Sequence, residues 1–116
     1  MIYARIGKDV LEIQPADNST AQAFMNLLAQ GDVRVAMRDY GGFEKVGALG
    51  TTLPTNDEPI TTEPGDVILY QGNQITIYYA ANTWRFTRLG KIQGVSESEL
   101  KRILGNGRIT AVFSLK

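Results

Sequence analysis

Residues 64–90 read P-G-D-V-I-L-Y-Q-G-N-Q-I-T-I-Y-Y-A-A-N-T-W-R-F-T-R-L-G. Three strands fit into this stretch. Asp66–Tyr70 is an almost unbroken apolar run (Val67, Ile68, Leu69, Tyr70), the pattern of a strand buried on both faces. Gln74–Ala80 alternates, with Ile75, Ile77 and Tyr79 on one side and Gln74, Thr76 and Tyr78 on the other. Trp84–Leu89 puts Trp84, Phe86 and Arg88 on a common face. Gly72-Asn73 suits a type II′ turn with glycine first, Ala81-Asn82-Thr83 turns the chain again, and Gly90 permits a bend or bulge.

The same signals continue on either side. Ile2–Ile6 alternates, Gly7-Lys8-Asp9 forms a short loop, and Val10–Gln14 returns as a second strand stopped by Pro15. Thr20–Gln30 has a helical stripe of Ala21, Phe24, Met25 and Leu28. Its start is marked by Ser19 with Gln22 as a capping box, or by Asn18 as the cap, and Gly31 ends it. Asp32–Tyr40 alternates, with Val33, Val35 and Met37 on one face and Arg34, Ala36 and Arg38 on the other. Gly41-Gly42 marks a hairpin, and Phe43–Leu49 is the return strand. Residues 50–63, rich in Thr, Pro, Asn and Asp, read as a long loop or surface crossover. Ser96–Leu104 is a second helix with a Ser96/Glu99 box, acidic residues first and basic residues last. Arg108–Leu115 is a final strand with Ile109, Ala111, Phe113 and Leu115 facing in. About eight mostly antiparallel strands with two short helices imply a mainly β domain, a closed barrel or a sandwich.

Composition narrows the function classes. The chain has 116 residues, enough for one core and one domain, and 43% of them are hydrophobic, as in globular proteins. Lys+Arg and Asp+Glu are 12 each, a balance that argues against a general nucleic-acid binder. There is no cysteine and no histidine, which removes thiol nucleophiles, histidine triads and the usual zinc sets. No apolar run approaches the roughly 18 residues of a membrane span, and a cytoplasmic location is the default expectation. No cofactor motif is present: the glycine turns are hairpins and none opens a helix in a phosphate-loop pattern.

In order, the segments D-N-S-T-A-Q-A-F-M-N-L-L, L-P-T-N, P-G-D-V-I-L-Y-Q-G-N-Q-I-T-I-Y-Y, W-R-F-T-R-L-G-K-I and G-R-I-T-A-V-F resemble the small bacterial cyclophilin-like family. The resemblance runs from Ile2 to Phe113. It implies a closed cyclophilin-like β-barrel with helices at its ends. Cyclophilins that isomerise prolyl bonds use an Arg from a Phe-His-Arg stretch and a G-S-Q-F-F segment. Gly72-Asn73-Gln74-Ile75-Thr76 resembles the second of these, with Gln74 matching its Gln and Thr76 standing where a ring belongs. No Phe-His-Arg stretch precedes it, and Arg38 in Met37-Arg38-Asp39 is the nearest basic candidate.

Trp84, Phe86 and Arg88 suggest a pocket with an aromatic wall and one cation, flanked by Tyr70, Gln74 and Tyr79. Packing gives the plainer reading, in which Trp84 and Phe86 fill the core and Arg88 reaches a rim carboxylate. Tyr40, Phe43 and Glu44 surround the Gly41-Gly42 turn as further contacts, and Asp39 with Glu44 makes a conceivable acid–base pair. Asp66 is a turn acceptor rather than a metal ligand. The leading expectation is a non-catalytic binding module for a small molecule or short peptide, using Tyr40, Glu44, Tyr70, Gln74, Tyr79, Trp84 and Arg88. A peptidyl-prolyl isomerase is one alternative, and an assembly domain without a pocket is another. The sequence sets no ligand and no oligomeric state.

Overall fold

The computed structural model describes residues 1–116. Nine strands and two helices follow in the order β1 (Ile2–Ile6), β2 (Asp9–Pro15), α1 (Ser19–Ala29), β3 (Val33–Tyr40), β4 (Glu44–Ala48), β5 (Glu58–Thr61), β6 (Asp66–Tyr70), β7 (Gln74–Tyr78), β8 (Thr83–Gln93), α2 (Glu97–Leu104) and β9 (Ile109–Ser114). Eight of the strands close into an antiparallel barrel, β2-β1-β9-β3-β4-β7-β6-β8, with β8 returning to pair with β2. Strand β5 lies outside this circuit and pairs only with β8.

Strand β8 has 11 residues and extends to Gln93, well past the expected end at Leu89. Its start pairs with β5 through Thr83–Phe86, its middle with β6, and its end with β2, where Pro15 faces Gly90. Opposite Val67 and Ile68 the register skips Leu89, a bulge beside Gly90 that bends the strand from one partner to the next. At Gly90 a Cβ would lie 2.5 Å from the Gln14 carbonyl oxygen and 2.7 Å from Ile13 Cγ2, so the seam needs glycine for close approach.

The core has two parts. Inward-facing Ile2, Ala4, Leu11, Ile13, Val35, Met37, Val67, Leu69, Ile75, Ile77, Ala111 and Phe113 fill the barrel. The helices pack into the same core, α1 through Phe24 and Leu28 and α2 through Leu100 and Leu104. Phe24 meets Phe113 edge-on at 5.8 Å. A smaller cluster of Ile60, Ile68, Tyr78 and Phe86 lies on the alternate, outward face of β6, β7 and β8. Strand β5 covers part of this face with Ile60, and β6 and β7 are accordingly buried on both sides.

Several local expectations need correction. The 50–63 stretch is not all loop, since Glu58–Thr61 forms β5. Pro59 and a single buried apolar residue, Ile60, conceal this strand, which is of the outer kind that tolerates proline. Of the two caps the sequence offers for α1, Asn18 is the one used, accepting from the Ala21 N–H at 2.8 Å. The β6–β7 turn is centred on Gln71-Gly72, both with positive φ (54° and 77°), not on Gly72-Asn73. Pairing of Tyr70 with Gln74 fixes that register, and the Asn73 N–H closes onto the Tyr70 carbonyl. The helices run 11 and 8 residues, and no helix is long and apolar enough to cross a membrane.

If the β2–β8 seam depends on close approach at Gly90, Gly90→Val lowers stability by about 1–3 kcal/mol. Urea denaturation measures this. A loss below about 0.5 kcal/mol contradicts the role assigned to the seam.

Candidate functional site

The outward face of the barrel wall is only partly covered by β5, and a cavity of about 290 Å³ opens beside it. Arg38 and Tyr40 come from β3, Phe43 from the β3–β4 turn, and Glu44 and Val46 from β4. Tyr70 comes from β6, Gln74 and Tyr78 from β7, Asn82 from the β7–β8 turn, and Trp84 and Phe86 from β8. Strand alternation brings these together, because Arg38 faces Val46, Tyr40 faces Glu44, and Glu44 faces Tyr78 across the sheet.

The aromatic rings form a continuous belt. Tyr40 meets Phe43 edge-on at 6.2 Å, and Phe43 stacks on Tyr78 at 5.9 Å and 4°. Tyr78 packs on Phe86 at 5.6 Å, and Phe86 meets Tyr70 at 6.3 Å. Tyr78 and Phe86 are buried, whereas Trp84 is 64% exposed and Tyr40 59% exposed. The belt therefore runs from a buried floor to an open rim.

Glu44 is the polar centre of the cavity and is only 7% exposed. The Tyr78 hydroxyl donates to its Oε1 at 3.3 Å and in turn accepts a long bond from Asn82 Nδ2 at 3.5 Å. Asn82 is held by buried Thr62, whose Oγ1 accepts from the Asn82 N–H at 2.8 Å. Burial pushes the Glu44 carboxyl from its ordinary 4.5 up to about 7, against the opposing pull of the Tyr78 bond. Burial likewise raises the Tyr78 phenol, opposed by Asn82 and reinforced by Glu44.

Five of the residues singled out from sequence meet in this cavity: Tyr40, Glu44, Tyr70, Gln74 and Trp84. Tyr79 and Arg88 do not line it. Tyr79, the residue just after β7, packs against the inner core instead and donates to Asp39 Oδ1 at 2.9 Å. Burial, then that bond, raises its phenol to about 12. Arg88 ties the outer strand to the barrel instead, 3.8 Å from Glu58 and 3.7 Å from buried Asp66. For Arg88 the rim-carboxylate reading is therefore the correct one. Asp66 accepts from the Glu63 N–H at 2.8 Å, as a turn acceptor does. Trp84 does not fill the core, although Phe86 does.

Asp39 and Glu44 do not pair. Asp39 turns to Lys45, which is 0% exposed and bonds it at 2.9 Å. The Gly107 N–H also donates to Asp39 at 2.7 Å, and Lys45 Nζ donates to the Gly107 carbonyl at 2.5 Å. Lys45, followed by its other partners, holds the Asp39 carboxyl below the usual range. This network braces β3, β4 and the α2–β9 loop but offers nothing to the cavity.

Of the other lining residues, the sequence raises Phe86 as a pocket wall, Phe43 as a turn contact and Arg38 as a basic candidate, Tyr78 enters only as an aromatic of the 64–90 stretch, and Val46 and Asn82 are not singled out. Alternation held the signal for two of them. Tyr78 shares a face with Gln74 while Tyr79 does not, and Arg38 shares a face of β3 with Tyr40.

Two outcomes follow. The unfolded chain gives up the Glu44 proton near pH 4.5 while the folded protein keeps it to about 7, so this group's contribution is full below 4.5 and is lost as pH rises through 7. Wild type should lose on the order of 3 kcal/mol from this source between pH 4.5 and 8, and Glu44→Gln should flatten the profile. Denaturant titrations across that range check it, and an unchanged slope in Glu44→Gln contradicts it. Asp39→Ala strands the buried Lys45 charge and should cost about 3 kcal/mol, with Asp39→Ala/Lys45→Met recovering most of that in the same assay.

No curated protein and no solved structure gives a significant match to the chain. A family model described as the cyclophilin-like family matches residues 4–114, nearly its whole length. With the closed antiparallel barrel beside it, the chain belongs to the cyclophilin-like family.

Proposed function

We propose that this cyclophilin-like domain is a non-catalytic binding module whose ligand, a small molecule or a short peptide segment, docks in the cavity on the outer barrel wall. The observation that carries this reading is the cavity itself, where an aromatic belt surrounds a few convergent polar groups, Arg38, Glu44, Gln74 and Asn82. Its volume of about 290 Å³ sits at the small end for ligand pockets and suits one ring or one or two side chains. An assembly domain without a pocket fits this wall less well.

Trp84 is the only tryptophan and stands on the rim, so its fluorescence reports occupancy. Titration with a metabolite and peptide panel, followed by Trp84 emission and amide NMR, should give shifts centred on Tyr70, Gln74 and Trp84. Trp84→Ala should weaken binding by about 1–3 kcal/mol, read from the NMR titration. Shifts scattered elsewhere, or none across the panel, sink the reading.

One observation favours a second reading. Arg38 and Gln74 line the same wall, and prolyl isomerases of the cyclophilin type use an Arg and a Gln. Against this, Thr76 is buried and its hydroxyl bonds the Ile68 carbonyl at 3.2 Å, so it offers no ring to a proline. A coupled prolyl-peptide assay decides. A rate above background that disappears in Arg38→Ala supports isomerase activity, and no rate at high protein concentration rules it out.

A further inference from the structure

The sign of the charge that the cavity accepts follows from its lining, on the reading above that the cavity takes a ligand. Glu44 is buried, with one oxygen bonded by Tyr78, and no protein donor reaches the other. The surrounding surface is largely ring, from Phe43, Tyr70, Tyr78, Trp84 and Phe86. Aromatic faces carry negative potential, so they attract cations and repel anions. The one formal cation in the lining is Arg38, which is exposed and has no carboxylate within ion-pair distance. An anion entering the floor would meet aromatic rings and a carboxyl group, and would find a cation only at exposed Arg38. A cation would meet aromatic rings and the unbonded oxygen of Glu44.

We propose that the cavity binds a protonated amine, seated against Glu44 among the aromatic rings. The amine belongs either to a free small molecule or to a lysine side chain of a peptide, since both present the same ammonium group. Docking converts Glu44 from carboxyl to carboxylate. The ammonium keeps its protons, the Glu44 proton leaves to solvent, and no other bond changes. Burial keeps the free protein's Glu44 protonated up to about pH 7, so amine affinity should rise with pH below that point. The other titratable or charged groups that share this lining are Arg38 and Tyr40 from β3, Tyr70 from β6 and Tyr78 from β7, while β8 contributes only Trp84 and Phe86.

The test compares three probes built on one phenylethyl frame, 2-phenylethylamine, 2-phenylethanol and 3-phenylpropionate, by amide NMR and Trp84 fluorescence at pH 6 and pH 8. An acetylated, amidated Gly-Lys-Gly peptide forms a fourth arm. The amine should bind at least about tenfold tighter than the alcohol, and tighten about tenfold from pH 6 to pH 8. Glu44→Gln should bind amine and alcohol alike. A lysine peptide tighter than the amine supports a peptide source, and the reverse supports a free amine. Alcohol or carboxylate binding as tightly as the amine in wild type overturns the inference while leaving the cavity as a binding site. So does an amine affinity that ignores pH, which does not depend on the variant folding. No shift at the cavity with any probe overturns both this inference and the binding reading on which it rests.

Discussion

Closure of the barrel through one strand is the constraint on which the other features depend. Strand β8 pairs in turn with β5, β6 and β2, and the last of these contacts converts a sheet into a barrel. The seam is tight enough that Gly90 has no room for a Cβ. Closure removes the unpaired edges that β2 and β8 would otherwise present. It also fixes which side chains of β6, β7 and β8 point outward, and those side chains build the cavity.

The outward face is where structure turns into chemistry. A barrel wall of this size normally meets water on its outer side. Here Ile68, Tyr78 and Phe86 make a second apolar layer, and β5 covers only part of it. The uncovered remainder holds a carboxyl group in low-dielectric surroundings. Desolvation of Glu44 outweighs its one weak hydrogen bond, so the acid stays neutral where an exposed glutamate would be ionised. The barrel's inner face solves the same problem differently. Asp39 and the Gly107 carbonyl meet the buried Lys45 ammonium directly. Complete pairing makes that network structural, whereas the open oxygen of Glu44 leaves capacity for a ligand.

Much of the fold was legible because its signals are local. Alternation and apolar runs located eight of the nine strands, and capping residues and apolar stripes located both helices. Strand β5 escaped because it depends on a distant partner: Ile60 is its only buried residue, and Pro59 beside it reads as a break. The extent of β8 escaped for the same reason, since its last residues are strand only where β2 meets them. The cavity was half legible. Tyr70, Gln74, Trp84, Tyr40 and Glu44 converge, yet Tyr79 and Arg88 depart, Tyr79 by strand parity and Arg88 by its reach toward Asp66 and Glu58. Parity is visible in a sequence. The position of a carboxylate that captures an arginine is not, because it depends on the pairing of strands far apart in the chain.

Amide hydrogen exchange across the β2–β8 seam tests the barrel most directly. Glu12–Pro15 of β2 pair with Gly90–Gln93 of β8, and just past them the Ala16 N–H donates to the Leu89 carbonyl at 2.8 Å. In a closed barrel these amides should exchange only through global unfolding, while those of β5, outside the circuit, exchange earlier through local opening. Seam amides that exchange as fast as those of β5 would contradict closure, and with it the outward wall on which the cavity depends.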